Sequence, residues 1–187
     1  MTLLSWHVTK GVYFLKITTK QLAIDAMLAA MCAVLGYVAI DTWAIKITFE
    51  SLPVLLGAML FGPLDGLLIG GVGTGIYQLL RYGVSATTVL WMLPYMLCGL
   101  VAGLAAKKLR FNVSRVQMIV IVVISELIVT VLNTAVLYVD AKMYGWYYPG
   151  LISANLVLRL VICVVKAVVF ALVLPMLVDA VKKIVRR

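Results

Sequence analysis

Residues 86–106 form twenty-one consecutive positions without a charged side chain. A helix of about 20 apolar residues matches the hydrocarbon thickness of a bilayer. Five further apolar stretches accompany it, at residues 22–40, 47–61, 64–80, 116–139 and 149–178. Of the 187 residues, 65% are hydrophobic and only 12% charged. A soluble domain is about half apolar and roughly a quarter charged. That balance argues against a soluble enzyme, a disordered chain or a disulfide-built scaffold. The expected fold is all-α and integral to the membrane. It is one domain over residues 1–187 with six transmembrane helices and no separate soluble domain. Residues 1–20 are basic and are expected to lie at the interface, not to form a cleaved signal peptide.

Sixteen Lys and Arg against seven Asp and Glu give a net charge of +9. In a soluble protein that excess would suggest nucleic acid. Here the cations sit between and beyond the apolar runs, so no nucleic-acid partner is expected. With six spans the termini share one side. Eleven cations fall on that side, at Lys10, Lys16, Lys20, Lys107, Lys108, Arg110, Arg115, Lys182, Lys183, Arg186 and Arg187. Three fall on the other, at Lys46, Arg81 and Lys142. This bias places both termini in the cytoplasm. The turn at Gly62-Pro63 fits the rule least, because it carries no cation.

The residue inventory removes several chemistries. Cys32, Cys98 and Cys163 each lie inside an apolar run at no metal-ligand spacing, and His7 is the one histidine. A zinc site and a resident cofactor are therefore not expected. There is no Walker A, HExxH or GxSxG pattern, so neither ATP hydrolysis nor intramembrane hydrolysis is expected of this chain. The run Gly-Gly-Val-Gly-Thr-Gly at 70–75 resembles a phosphate loop only superficially.

Small residues recur four apart, at Gly66 and Gly70, Gly71 and Gly75, and Gly99 and Gly103. Such pairs let helices approach closely, and packing within the bundle is the reading for the glycines. Ala26 and Ala30, with Ala29 and Ala33, repeat the spacing in the first span. They stand open to two readings, internal packing or the docking of an external partner helix.

Charges within spans are costly, by at least roughly 2.5–3.5 kcal/mol at mid-depth, and face a cavity or a partner. Glu126, Arg159 and Lys166 are in this position, with Glu50 and Asp140 near span ends. Lys166, the deeper cation, is expected to pair with Glu126. Arg159, near the outer end of its helix, is a candidate to meet a ligand carboxylate. The outward ends are also rich in aromatic and amide groups. The candidates for ligand contact are the rings of Trp43, Tyr77, Trp91, Tyr95 and Tyr147, the cations Arg81 and Arg159, and the amides Asn133 and Asn155. An aromatic belt at the interface accounts for part of this enrichment. Stacking rings beside amides also suit a flat heteroaromatic ligand.

The segment Ile-Thr-Thr-Lys-Gln-Leu-Ala (17–23), which leads into an Ala-rich first helix, is one family signature. A second is Lys-Ile-Thr-Phe-Glu-Ser-Leu-Pro-Val-Leu-Leu-Gly-Ala-Met-Leu-Phe-Gly-Pro (46–63). Leu-Asn-Thr (132–134) and Leu-Arg-Leu (158–160) match more weakly. Together they make the chain, from residue 18 to about 175, similar to the substrate-binding S components of energy-coupling factor (ECF) vitamin transporters, folate-type. The resemblance implies a vitamin-capture subunit of a multi-pass kind in a prokaryotic plasma membrane. It implies partners as well: a transmembrane coupling subunit and two ABC-type ATPases. The Ala26, Ala29, Ala30 and Ala33 face would contact the coupling subunit. The vitamin would bind near the outer face and leave when the subunit topples. The loop at 41–45 lacks an Arg-containing segment common in folate binders, and the loop at 81–87 is short. Cobalamin and pantothenate therefore stand beside folate as substrates. The alternative is a stand-alone small-molecule channel or secondary transporter.

Overall fold

The structure, a computed structural model, describes residues 18–41 and 46–185; the side chains of 41, 46, 154, 155, 184 and 185 are not among those described. Most of the basic N-terminal segment, with His7, and Trp43 lie outside the described residues, as does the side chain of Asn155.

Six helices follow in order: α1 (Thr19–Tyr37), α2 (Ser51–Leu60), α3 (Pro63–Tyr82), α4 (Thr88–Lys108), α5 (Arg115–Met143) and α6 (Leu151–Val185). Between α1 and α2 the strands β1 (Ile40–Asp41) and β2 (Lys46–Ile47) pair antiparallel, Ile40 opposite Ile47 and Asp41 opposite Lys46. The helix ends follow local chemistry. Thr18 caps α1, its hydroxyl accepting from the Gln21 amide at 3.2 Å, which satisfies a donor that the first helical turn leaves open. Ser114 and Gln117 form a reciprocal capping box at the start of α5. Gly62, at φ +123°, turns the chain between α2 and α3, and Pro63 opens α3, where its missing N–H costs nothing.

Four helices, α1, α4, α5 and α6, are long and apolar enough to cross a bilayer. With twenty residues α3 has the length, but its glycines and polar groups dilute its hydropathy. Here the structure narrows the expectation of six spans. The apolar stretch at 47–61 gives a helix of only ten residues, about 15 Å long, half of what a crossing needs. It is instead a core element: eight of its ten residues are buried, and it packs against α1, α3, α4 and α6. The stretch expected at 149–178 continues through Pro175 to Val185.

The α3–α4 interface is the most extensive in the molecule. A side chain on Gly99 would collide with the Gly66 carbonyl, and one on Gly70 would meet the Tyr95 carbonyl at 2.5 Å. The glycine spacing therefore reflects packing. Backbones of α3 and α4 touch where any Cβ would force them apart. On α6, Cys163, Ala167, Phe170, Leu174 and Val178 turn inward. Val157, Val164, Val168, Leu172 and Met176 are exposed on the opposite stripe, the face a lipid-embedded helix offers to acyl chains.

The four alanines of α1 separate. Ala29 and Ala33 are buried, and a Cβ on Gly73 of α3 would meet the Ala29 carbonyl at 2.8 Å. Both pack against the rest of the bundle. Ala26 and Ala30 remain exposed.

Candidate ligand-binding site

A cavity of about 600 Å³ lies where α3 ends and α4 begins. Each wall comes from a different element. The β2–α2 junction supplies Thr48 and Glu50, and α3 supplies Tyr77, Gln78 and Tyr82. The α3–α4 connection and α4 supply Ser85, Thr87, Trp91 and Tyr95. From α5 come Thr130, Asn133, Leu137 and Asp140, spaced three and four apart and so on one helical face. From α6 come Arg159, Ile162, Cys163 and Lys166 at the same kind of spacing. Tyr144 and Trp146 close the α5–α6 side.

Most polar groups in the walls are braced. The Thr87 hydroxyl donates to Asp140 Oδ1 at 2.5 Å and the Trp91 indole N–H to the same oxygen at 3.4 Å. The Thr48 hydroxyl and the Tyr95 phenol are 3.0 Å apart. Thr74 donates to Glu50 Oε2 at 3.4 Å. Tyr77 and Tyr82 meet edge to face, with ring centroids 6.0 Å apart. On the inner wall, Lys166 Nζ stands 2.8 Å from Glu126 Oε2, and the Ser51 hydroxyl donates to Glu126 Oε1 at 2.5 Å. That is the pairing expected from the depth of the two charges.

Two groups are not satisfied. Arg159 Nη1 donates to the Thr134 hydroxyl at 3.3 Å, which itself donates to the Thr130 carbonyl at 2.7 Å. The Arg159 Nε has no partner, and neither has Asn133 Oδ1, although both atoms are buried. A buried polar atom without a partner costs about 1–3 kcal/mol. A donor and an acceptor left open in one cavity define a complementary pair that a ligand can supply.

The structure brings together Tyr77, Trp91, Tyr95, Asn133 and Arg159 of the sequence candidates. Arg81 and Tyr147 are not in the lining. Arg81 Nη1 donates to the Tyr37 carbonyl at 3.1 Å, one of the acceptors that the last turn of α1 leaves open. Tyr147 packs edge to face on Tyr138 at 5.4 Å, and the Lys142 ammonium lies 4.3 Å from its centroid. Both serve the rim. Glu50, Asp140 and Lys166 were visible in the sequence as charges in or beside apolar runs, a signal that could have placed them here. Thr48 and Thr87 carried no such signal.

The sequence matches the family of the ECF transporter, substrate-specific component, over residues 20–178. No curated protein sequence matches the chain. Among solved structures it is similar to FolT bound with folic acid, at 25% identity and a TM-score of 0.64, over 87% of this chain and 94% of that one. It is similar also to the S component of a bacterial ECF transporter, at 21% identity and a TM-score of 0.61, over 90% of this chain and 98% of that one. A third is the S-component for biotin from an ECF-type ABC transporter, at 17% identity and a TM-score of 0.63, over 86% and 94%. The two at lower identity speak for the fold alone. With most of its length matched, the chain belongs to the family of substrate-specific components of ECF transporters.

Proposed function

We propose that this chain captures a folate-like vitamin in the cavity described above and delivers it across the membrane in concert with partner subunits. The observation that carries this reading is the open pair, Arg159 Nε and Asn133 Oδ1. It sits in a chamber walled by Tyr77, Tyr82, Trp91, Tyr95 and Trp146. Rings stack a flat heteroaromatic, the amide oxygen accepts an N–H, and the guanidinium anchors a carboxylate. A volume of about 600 Å³ lies within the roughly 300–1,000 Å³ usual for small-molecule sites. The likeness to FolT bound with folic acid supports a folate-type ligand. Pantothenate has no ring to stack, cobalamin is far bulkier, and neither has support among the similar structures.

The ligand reading is tested by titrating folic acid into the purified protein. Arg159→Ala is expected to weaken binding by about 1.5–3 kcal/mol, the range for a hydrogen bond to a charged group. Unchanged affinity in a folded Arg159→Ala protein would remove the anchor assignment. Mass spectrometry of whatever co-purifies checks the ligand class independently.

The cation bias supports cytoplasmic termini, with the cavity toward the outer face. Release inside then requires a large reorientation, such as toppling of the subunit, driven by a transmembrane coupling subunit and two ABC-type ATPases. Chemistry is left to those ATPases; this subunit binds and is not an enzyme. Ala26 and Ala30 are the exposed small residues of α1 at which a coupling helix would approach. Ala26→Trp adds bulk where backbones would nearly touch. Co-purification with the coupling module and uptake are expected to fall away while folic acid binding persists. Equal loss of binding and assembly would mean that the substitution disturbs the bundle itself.

A further inference from the structure

Asp140 lines the cavity, and its charge is not explained by the fold. It lies in the last turns of α5, whose helix ends at Met143. An anion is disfavoured there by the negative end of the helix dipole. No salt bridge to Asp140 occurs among the described residues. The nearest cation in sequence, Lys142, is turned away, its ammonium 4.3 Å from the Tyr147 ring centroid and 5.8 Å from that of Tyr138. Thr87 and Trp91 both donate to Oδ1, and no donor reaches Oδ2 among the described residues. Had the residue only to tie α4 to α5, the amide of an asparagine would accept the same two bonds without a charge to desolvate.

We propose that Asp140 is the specificity-determining anion of the cavity, whose free oxygen accepts the N–H donors of the ligand's heterocycle. The assignment rests on the vitamin-capture reading of the same cavity. Asp140 lies seven residues beyond Asn133 on α5, about 10 Å along the helix, and Arg159 is bonded to Thr134 beside it. The cavity therefore has two poles. One, at Arg159, takes an acceptor or a carboxylate; the other, at Asp140, takes N–H groups and repels any anion. The ligand class is a planar heterocycle with adjacent N–H donors at one end, as in a cyclic amide flanked by an amino group. It carries acidic or carbonyl groups at the far end. A ligand that presents a carboxylate to both poles is rejected at Asp140 by like charge.

The test compares folic acid with its 2-desamino-2-methyl analogue, which loses N–H donors and keeps the carboxylates. Both are titrated calorimetrically into the purified full chain, wild type and Asp140→Asn. Wild type is expected to bind the analogue about tenfold more weakly or worse, the loss of a charge-assisted hydrogen bond. Asp140→Asn is expected to keep the wild-type melting temperature, to bind folic acid about tenfold more weakly, and to lose most of the discrimination. Equal affinity of the wild type for the two compounds overturns the assignment, and so does full discrimination in the variant. Should the variant not be recovered folded, equal affinity of the wild type for the two compounds still overturns the assignment. Loss of folic acid binding in Arg159→Ala with no effect at Asp140 removes this assignment and leaves the vitamin reading standing. No binding of folic acid to the wild type removes both.

Discussion

Vesicles holding this chain alone are expected to bind folic acid and to accumulate none of it. Vesicles that also hold a coupling subunit and two ATPases are expected to concentrate it, and to stop when internal ATP is withdrawn. The reason is thermodynamic. Each tenfold of accumulation costs about 1.4 kcal/mol, and equilibrium binding, however tight, returns on release what it gained on capture. The chain carries no Walker A sequence, so ATP hydrolysis is expected of another subunit. Membership of the substrate-specific component family fits a division of labour in which another subunit supplies it. Flux measured with radiolabelled folic acid at fixed vesicle volume distinguishes bound from accumulated ligand. Concentrative uptake by the chain alone, without ATP, would overturn the reading. The protein would then be a secondary transporter, and the buried Glu126–Lys166 pair would be the first place to look for ion coupling.

The helices were legible because lipid leaves the chain little choice. An uncharged run of about 20 residues cannot expose its backbone to hydrocarbon, so residues 86–106 and the helix Thr88–Lys108 nearly coincide. Where tertiary packing decides, the sequence said less. The stretch at 47–61 is as apolar as a span, yet its first residue enters a β pair and residues 51–60 form a short central helix. Hydropathy cannot tell a helix buried among helices from one buried in lipid. The alanines show the same limit. At 26, 29, 30 and 33 they cover two faces of α1, and the close approach of α3 at Gly73 to Ala29 goes with one of them being internal. Charges carried more information than rings. The depth of Glu126 and Lys166 led to their pairing, because a lone charge at that depth must find an opposite one. Rings at span ends serve both belt and site, so Tyr95 in the cavity lining and Tyr147 outside it look alike in the sequence. Arg81 shows a further ambiguity, because a cation at a helix end also satisfies a neighbouring helix's carbonyl, here that of Tyr37.

Lys166→Met is expected to destabilise the detergent-solubilised protein by about 3–5 kcal/mol, the cost of leaving a buried charge uncompensated. Glu126 is fully buried at 0% exposure, and its partners in the structure are the Lys166 ammonium and the Ser51 hydroxyl. One hydroxyl cannot replace the ammonium 2.8 Å away. The double variant Glu126→Gln, Lys166→Met removes both charges together. It is expected to recover most of the loss, since a neutral amide beside Ser51 carries far less desolvation penalty than a stranded carboxylate. Thermal unfolding in one detergent, read for the two singles and the double, gives the coupling between the residues directly. Additive single effects would mean that the ammonium contributes packing over Phe170, 5.7 Å from its ring centroid, and no compensation to Glu126. A strongly non-additive cycle would identify the pair as the charge-neutral inner wall of the cavity. That matters for capture, because Lys166 lines the chamber. Held by Glu126, it presents a neutral pair to the cavity, which is consistent with Arg159 as the proposed anchor.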